Sequence, residues 1–288
     1  MQTVKLNNGI EMPVLGYGVF QVSPQECERC VLDAIGAGYR LIDTAQAYYN
    51  EEGVGAAVAK CGVPRSELFL TTKVWITNAG EEKAARSIHE SLRKLRTDYI
   101  DLLLIHQPFG DYPGTWRAME QAVRDGKVRA IGLSNFYPDR FVDMAEYAGI
   151  KPAVNQLKTN VFSQQWDAEA EMKPYGTRIM AWGPLAQGDP DLTTRPAMAG
   201  LAEKYGKTVQ QVALRYLVQR GIIAIPKSTH RERMEQNSDV FDFALTVEEM
   251  EGIRPLDKPA DFRWSHRNPE LVKFLLNYDK QFNPDNKK

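Results

Sequence analysis

The sequence predicts an α/β fold: a (β/α)8 TIM barrel, eight parallel strands closed on themselves, with an N-terminal β-hairpin before it and a C-terminal tail after it. Three observations predict it. Eight strand–helix units follow a hairpin within roughly 250 residues, which is what a parallel sheet with helical crossovers requires. No linker, low-complexity segment or charge run divides the 288 residues, so residues 1–288 are expected to form one domain. The competing open, doubly wound sheet would show Gly-x-Gly-x-x-Gly after an early strand. Here Gly16-Tyr17-Gly18 continues as Val19-Phe20-Gln21, without the third glycine.

The elements follow in order. Val4 to Pro13 alternates in character and turns at Asn8-Gly9, a strong short-range hairpin signal, and reads as a lid on one end of the fold. Val14 to Gly18 is the first strand and Pro24 to Ala37 a helix, opened by Ser23 as cap, proline at the first helical position and Glu26. Arg40 to Asp43 is the second strand. Beyond Tyr48 a helix runs from Asn50 to Lys60, with Asn50 its candidate cap and Glu51 and Glu52 in the first turn, where the dipole favours acids. Leu68 to Lys73 is the third strand, before a helix over Glu81 to Leu95. Ile100 to His106 is the fourth, before Gly114 to Arg124. Val128 to Asn135 is the fifth, before Pro138 to Tyr147. Ala153 to Gln156 is the sixth, before Gln165 to Lys173. Arg178 to Trp182 is the seventh, and after a longer excursion Thr208 with Gln211 caps a helix to Gln219. Ile222 to Ile225 is the eighth, followed by a helix over Arg231 to Asp239 and one more capped by Thr246. The tail from Pro259 is mixed and aromatic.

Composition excludes several classes of function. The chain is 43% hydrophobic and 25% charged, an ordinary globular balance, and a formal net charge of -1 favours neither a nucleic-acid nor a membrane partner. The first residues lack the apolar core of a signal peptide, and the run Leu102 to Ile105 is far too short to span a bilayer. Three cysteines, without a disulfide framework, suit a reducing cytoplasm. Cys27 and Cys30 form a Cys-x-x-Cys pair, but inside a helix and beside Val31, Ala34 and Ile35. They read as small buried hydrophobes rather than a redox couple.

In a barrel of this kind the active site sits at the C-terminal ends of the strands. Those ends carry Asp43, Lys73, His106, Ser134 with Asn135, Gln156, and Lys227 with Ser228; Tyr48 lies just beyond Asp43. A charged residue directly after an apolar run is awkward unless it is paired or faces a cleft. One such residue is a strand surfacing; three titratable groups on consecutive strand ends are a constellation.

These stretches resemble the aldo-keto reductase family over essentially the whole chain. The resemblance rests on Leu15-Gly16-Tyr17-Gly18, Ile42-Asp43-Thr44-Ala45 with Tyr48, Asn50 and Glu51, and Thr72-Lys73-Val74-Trp75. It continues through Asp101 to His106, Ile131 to Phe136, Val154-Asn155-Gln156 and Ile225-Pro226-Lys227-Ser228, all in that order. It implies NADPH-dependent reduction of aldehydes or ketones to alcohols, with a catalytic tetrad of Asp43, Tyr48, Lys73 and His106. Tyr48 is then the proton donor, Lys73 the cation beside it, Asp43 the residue orienting Lys73, and His106 the group that places the carbonyl. A free phenol titrates near 10, so work near neutrality asks for a drop of about 3 units, or ~4 kcal/mol. One cation about 4 Å away at an effective dielectric of about 20 supplies ~4 kcal/mol, so a lowered Tyr48 pKa is expected.

The same resemblance implies the NADPH/NADP+ site. Ser134, Asn135 and Gln156 would hold the nicotinamide carboxamide, and Trp182 would stack on its ring. Gly18, Val19, Asp43 and Leu185 join the cofactor set. Lys227, Ser228, Thr229, Arg233, Gln236 and Asn237 surround the 2′-phosphate and adenine, since a phosphate wants cations and donors at a helix start. Gln236 stands where the family usually has Glu, and Lys158 and Asn160 depart from its Glu-x-His. For the carbonyl substrate the set is Phe20, Tyr48, Trp75, His106 and Gln107, with Tyr49, Phe109, Phe262 and Trp264 as further candidates for an apolar mouth. The short loop after His106 is similar to bacterial members acting on small aldehydes, keto-aldehydes or keto-sugars. A small-molecule carbonyl is the expected partner, with no nucleic acid and no membrane, and a monomer is the expected state. Three other readings compete: a Schiff base at Lys73, a glycosidase (which wants two strand-end carboxylates, where only Asp43 qualifies), and an NADPH-binding protein without turnover.

Overall fold

The computed structural model describes residues 2–259 and 265–283. Strands β1 (Thr3–Lys5) and β2 (Glu11–Pro13) form the expected antiparallel hairpin. Its turn is left-handed at Gly9, with φ +88°. Eight parallel strands follow in sequence order: β3 (Gly16–Gly18), β4 (Leu41–Asp43), β5 (Phe69–Val74), β6 (Ile100–Ile105), β7 (Val128–Ser134), β8 (Val154–Lys158), β9 (Arg178–Trp182) and β10 (Ile223–Ala224). The sheet closes on itself. Leu15 bridges Ala224, the Ala224 N–H donates to Val14 O at 2.8 Å, and the Gly18 N–H donates to Pro226 O at 3.1 Å.

Alternate residues of each strand point inward. Leu41, Phe69, Leu102, Leu104, Ala130, Val154, Met180 and Ile223 meet inside the barrel, and Leu6 and Met12 of the hairpin join them. Residues one step out of phase, such as Ile42, Leu70, Leu103, Ile131 and Ile179, pack instead against the surrounding helices. The hairpin plugs the end where strands begin: Asn7 donates to Pro152 O at 3.0 Å and Asn8 to Arg129 O at 3.1 Å. One glycine is demanded by a close approach, because a Cβ at Gly132 would lie 2.4 Å from Val154 O of the neighbouring strand.

The helices are α1 (Pro24–Gly36), α2 (Glu51–Lys60), α3 (Glu81–Leu95), α4 (Tyr112–Arg124), α5 (Pro138–Tyr147), α6 (Trp166–Met172), α7 (Asp191–Thr194), α8 (Pro196–Tyr205), α9 (Val209–Gln219) and α10 (Arg231–Ser238). After them come α11 (Val247–Ile253), α12 (Pro269–Leu276) and α13 (Tyr278–Phe282). Thr208–Gln211 and Thr246–Glu249 form reciprocal capping boxes as expected. Helix α4 starts two residues before the expected Gly114, because Asp111 caps it by accepting from the Gly114 N–H at 2.8 Å. Cys27 and Cys30 are buried in α1, and burial pushes the Cys27 thiol up to about 12 and the Cys30 thiol up as well, which disfavours the reactive thiolate.

Asn50 corrects a sequence expectation. It precedes α2 but makes no capping bond. Its amide donates to Val19 O at 2.9 Å and Val22 O at 3.1 Å, and accepts from Thr44 Oγ1 at 2.8 Å. It is a tie between two strand-end loops. Glu51 stands in the first turn of α2 as expected, is buried there, and accepts from Thr72 Oγ1 at 2.6 Å.

Candidate active site

One further inward step along each strand changes the barrel's lining from apolar to polar. Leu41 is followed by Asp43, Phe69 and Thr71 by Lys73, Leu104 by His106, Gly132 by Ser134, Val154 by Gln156, and Met180 by Trp182. The period of two that buries the hydrophobic layer therefore gathers these six side chains into the next layer up. Above it a cavity of about 1050 Å³ opens between the strand ends.

Lys73 is fully buried and its ammonium has three acceptors: Asp43 Oδ1 at 2.6 Å, Thr44 O at 2.8 Å and the Tyr48 hydroxyl at 3.3 Å. The other Asp43 oxygen accepts from Gln156 Nε2 at 2.8 Å. Burial pushes the Asp43 carboxyl up and the Lys73 ammonium down, while their mutual attraction opposes both shifts. The chain Gln156–Asp43–Lys73 thus ends on the phenol of Tyr48, which lines the cavity.

The expected lowering of the Tyr48 pKa is not what this geometry produces. Burial first, and the Asp43 carboxylate second, hold the phenol well above its ordinary 10.0. The Lys73 charge is spent on Asp43, whose bond to it is the shorter one, so the pair presents little net positive field to Tyr48. His106 shifts the opposite way. Burial, the Lys73 charge and His266 keep its imidazole well below 6.5, hence neutral. Its ring meets those of Tyr48 at 5.5 Å and Trp75 at 4.9 Å, both edge to face. The site therefore holds a protonated phenol and a neutral imidazole side by side.

On the other wall, Asn135 donates to His106 O and to Ser134 Oγ, each at 3.1 Å, and accepts from Trp182 Nε1 at 3.0 Å. Its φ of +64° is a left-handed position that Asn tolerates. Farther along the cavity stand Leu185, Lys227, Ser228, Thr229, Arg233, Gln236 and Asn237, together with Gly18. Lys227 and Arg233 are exposed, and among the described residues neither has a carboxylate partner. Phe20, Trp75, His106 and Gln107 line the cavity too. Two expected site residues do not. Lys73 lies beneath the cavity floor, and Val19 is packed against the barrel with its N–H on Asp43 O at 3.0 Å.

Of the further mouth candidates, Tyr49 turns away from the cavity and donates to Asp279 Oδ1 at 2.6 Å, and Phe109 stacks on His266 at 5.9 Å. Phe262 and Trp264 lie outside the described residues. The tail contributes instead through Leu271, Phe274, Leu275 and Tyr278, and through His266, whose Nε2 bonds Gln107 Oε1 at 2.7 Å. Sequence reasoning missed these, although 271, 274, 275 and 278 follow the i, i+3, i+4, i+7 spacing of one helical face. In the loop after Trp182 it named Leu185 but missed Gly183 and Pro184. Of the two departures from the family pattern, Lys158 lines the cavity and Asn160 donates to Gly183 O at 3.1 Å.

Among the described residues no group of His, Cys, Asp and Glu could hold a metal ion, and no helix is long and apolar enough to cross a membrane.

Comparisons with known proteins place the chain among relatives of the same fold. The model of the aldo/keto reductase family matches residues 14–258. A glyoxal reductase of Bacillus subtilis is 45% identical over 258 residues, 89% of this chain and 93% of its own length. The crystal structure of an aldo-keto reductase enzyme from a Medee basin deep-sea metagenome library superposes with a TM-score of 0.87 at 42% identity, covering 90% of this chain and 97% of that one. An aldo-keto reductase of Bombyx mori, solved in complex with NADP, has a TM-score of 0.86 at 36% identity over 95% of this chain and 96% of its own.

Proposed function

The chain belongs to the aldo/keto reductase family, and from that premise we propose that it reduces small aldehydes, keto-aldehydes or keto-sugars to alcohols with NADPH, Tyr48 supplying the proton. The observation that carries the reading is the hydrogen-bonded chain from buried Gln156, Asp43 and Lys73 to half-buried Tyr48, of which the phenol lines the cavity and the ammonium does not.

The residues around the cavity fit the cofactor. Ser134, Asn135 and Gln156 offer donors and acceptors at the barrel mouth, Trp182 offers a ring beside them, and Lys227 and Arg233 offer two cations without a carboxylate partner among the described residues. Paired with a 2′-phosphate, such cations would prefer NADPH over NADH. Bound NADPH would supply the hydride. Everything else falls to this chain. His106, neutral, can hydrogen-bond the carbonyl oxygen without competing for the proton. Tyr48 holds that proton until negative charge develops on the oxygen, which then becomes a stronger base than the phenolate. Lys73 holds the phenolate left behind through its direct 3.3 Å hydrogen bond rather than through a net field of the Lys73–Asp43 pair. Asp43 keeps Lys73 charged in a dry site and, through Gln156, is itself held in place.

Two competing readings fit the geometry less well. A Schiff base at Lys73 needs an amine that reaches substrate, whereas this ammonium is buried and donates to three acceptors. A glycosidase needs a second carboxylate across the substrate from Asp43, and Asp43 is committed to Lys73 and Gln156. The test is Tyr48→Phe. Aldehyde-dependent oxidation of NADPH is expected to vanish while the Kd for NADPH, read by fluorescence quenching, stays close to the unmodified enzyme's. Surviving turnover would remove Tyr48 from the role of acid.

A further inference from the structure

We propose that Asp279 is a positioning residue that latches the two C-terminal helices over the carbonyl end of the cavity and thereby sets which carbonyls the enzyme prefers; this rests on reading that cavity as a carbonyl-reduction site. The carboxylate is bidentate between two loops. Tyr49 donates to Oδ1 at 2.6 Å and Thr77 Oγ1 donates to Oδ2 at 2.7 Å. Tyr49 directly follows Tyr48, and Thr77 lies two residues after Trp75. The latch therefore grips the chain beside the proposed acid and beside the ring that packs on His106.

What it holds is a roof. Next to Asp279, the ring of Tyr278 meets Trp75 at 5.4 Å, edge to face. Leu271, Phe274 and Leu275 of α12 and Tyr278 of α13 line the cavity as one helical face. Neither helix contains a fully buried residue, so little hydrophobic burial holds the pair in place. Hydrogen bonds to a charged acceptor are about twice as strong as neutral ones, which gives the Asp279 contacts weight out of proportion to their number. Both helices lie past residue 258, where the match to the family model ends.

The chemistry of the roof says what it selects. A cavity closed above by Leu and aromatic side chains rewards a carbonyl small enough to fit beneath them, and opening it removes that reward without touching Asp43, Tyr48, Lys73 or the cofactor wall. Asp279→Ala should raise KM for methylglyoxal about tenfold, or about 1.4 kcal/mol, with kcat little changed. KM for 2-naphthaldehyde should change less, so selectivity falls. The double variant Tyr49→Phe/Thr77→Val removes the same bonds from the barrel side and should move selectivity the same way. NADPH Kd should not move in either. Amide hydrogen exchange across residues 269–282 should quicken in both variants. The proposal stands if exchange quickens and selectivity falls. It is overturned if exchange in 269–282 is unchanged, or if both aldehydes lose kcat/KM equally. If the unmodified enzyme reduces no carbonyl, the functional reading fails instead, and the exchange arm alone decides the latch.

Discussion

The Tyr48 hydroxyl receives a 3.3 Å hydrogen bond from an ammonium that spends a shorter one, 2.6 Å, on Asp43. A cation so well compensated does not draw the phenol's pKa down against the desolvation of its half-buried ring, and the phenol stays protonated. The sign then fixes the pH behaviour. Tyr48 is raised above 10.0 and His106 lowered below 6.5, so neither titrates between those values. The kcat/KM for reduction should be flat from about pH 6.5 to about 8.5 at constant ionic strength. A midpoint inside that window, assigned to either ring by loss in the Tyr48→Phe or His106→Gln variant, would contradict the burial argument. At this scale the sequence was a good guide to identity and a poor one to state. Asp43, Lys73 and His106 were visible because each is a charged or polar residue at the end of an apolar strand. The direction of the Tyr48 shift was not, because it depends on how much water burial removes and on which partner the ammonium favours.

Single elements carry their own chemistry. Helix α10 follows the exit of β10, and its Arg233 shares the far end of the cavity with Lys227. Charge-assisted bonds are worth about 1.5–3 kcal/mol, so Arg233→Ala should raise KM for NADPH by at least about tenfold and leave KM for NADH nearly unmoved. Equal KM values for the two cofactors in the unmodified enzyme would argue against a phosphate clamp. The capping boxes of α9 and α11 were legible because their determinants lie three residues apart. Asn50 was misread because its partners Val19 and Val22 come from a different loop. The face of α12 and α13 carried a readable spacing. What it faced was not readable, since an amphipathic face with no buried residue names no neighbour.

Across the whole molecule the two ends of the barrel divide the labour. The end where strands begin is plugged by Leu6 and Met12 and tied by Arg65 and Arg129 to buried Asp101, each at 2.7 Å. The other end carries the cavity. Met12→Ala should therefore cost about 2–5 kcal/mol in urea denaturation yet leave kcat unchanged under conditions where the variant is folded. A fall in kcat in the folded variant would show that the plug is coupled to the site. The sequence by itself determined the barrel and the polar layer at its mouth. Strand alternation has a period of two, crossovers need helices, and a polar residue one inward step beyond an apolar layer must lie at the mouth. Tertiary structure alone decided which polar groups touch, in which protonation state, and that the tail roofs the site. Asp43 and Gln156 are 113 positions apart, Tyr49 and Asp279 are 230 apart, and both pairs meet within hydrogen-bond distance. Their contact and their desolvation are properties of closure, which no local pattern of residues encodes.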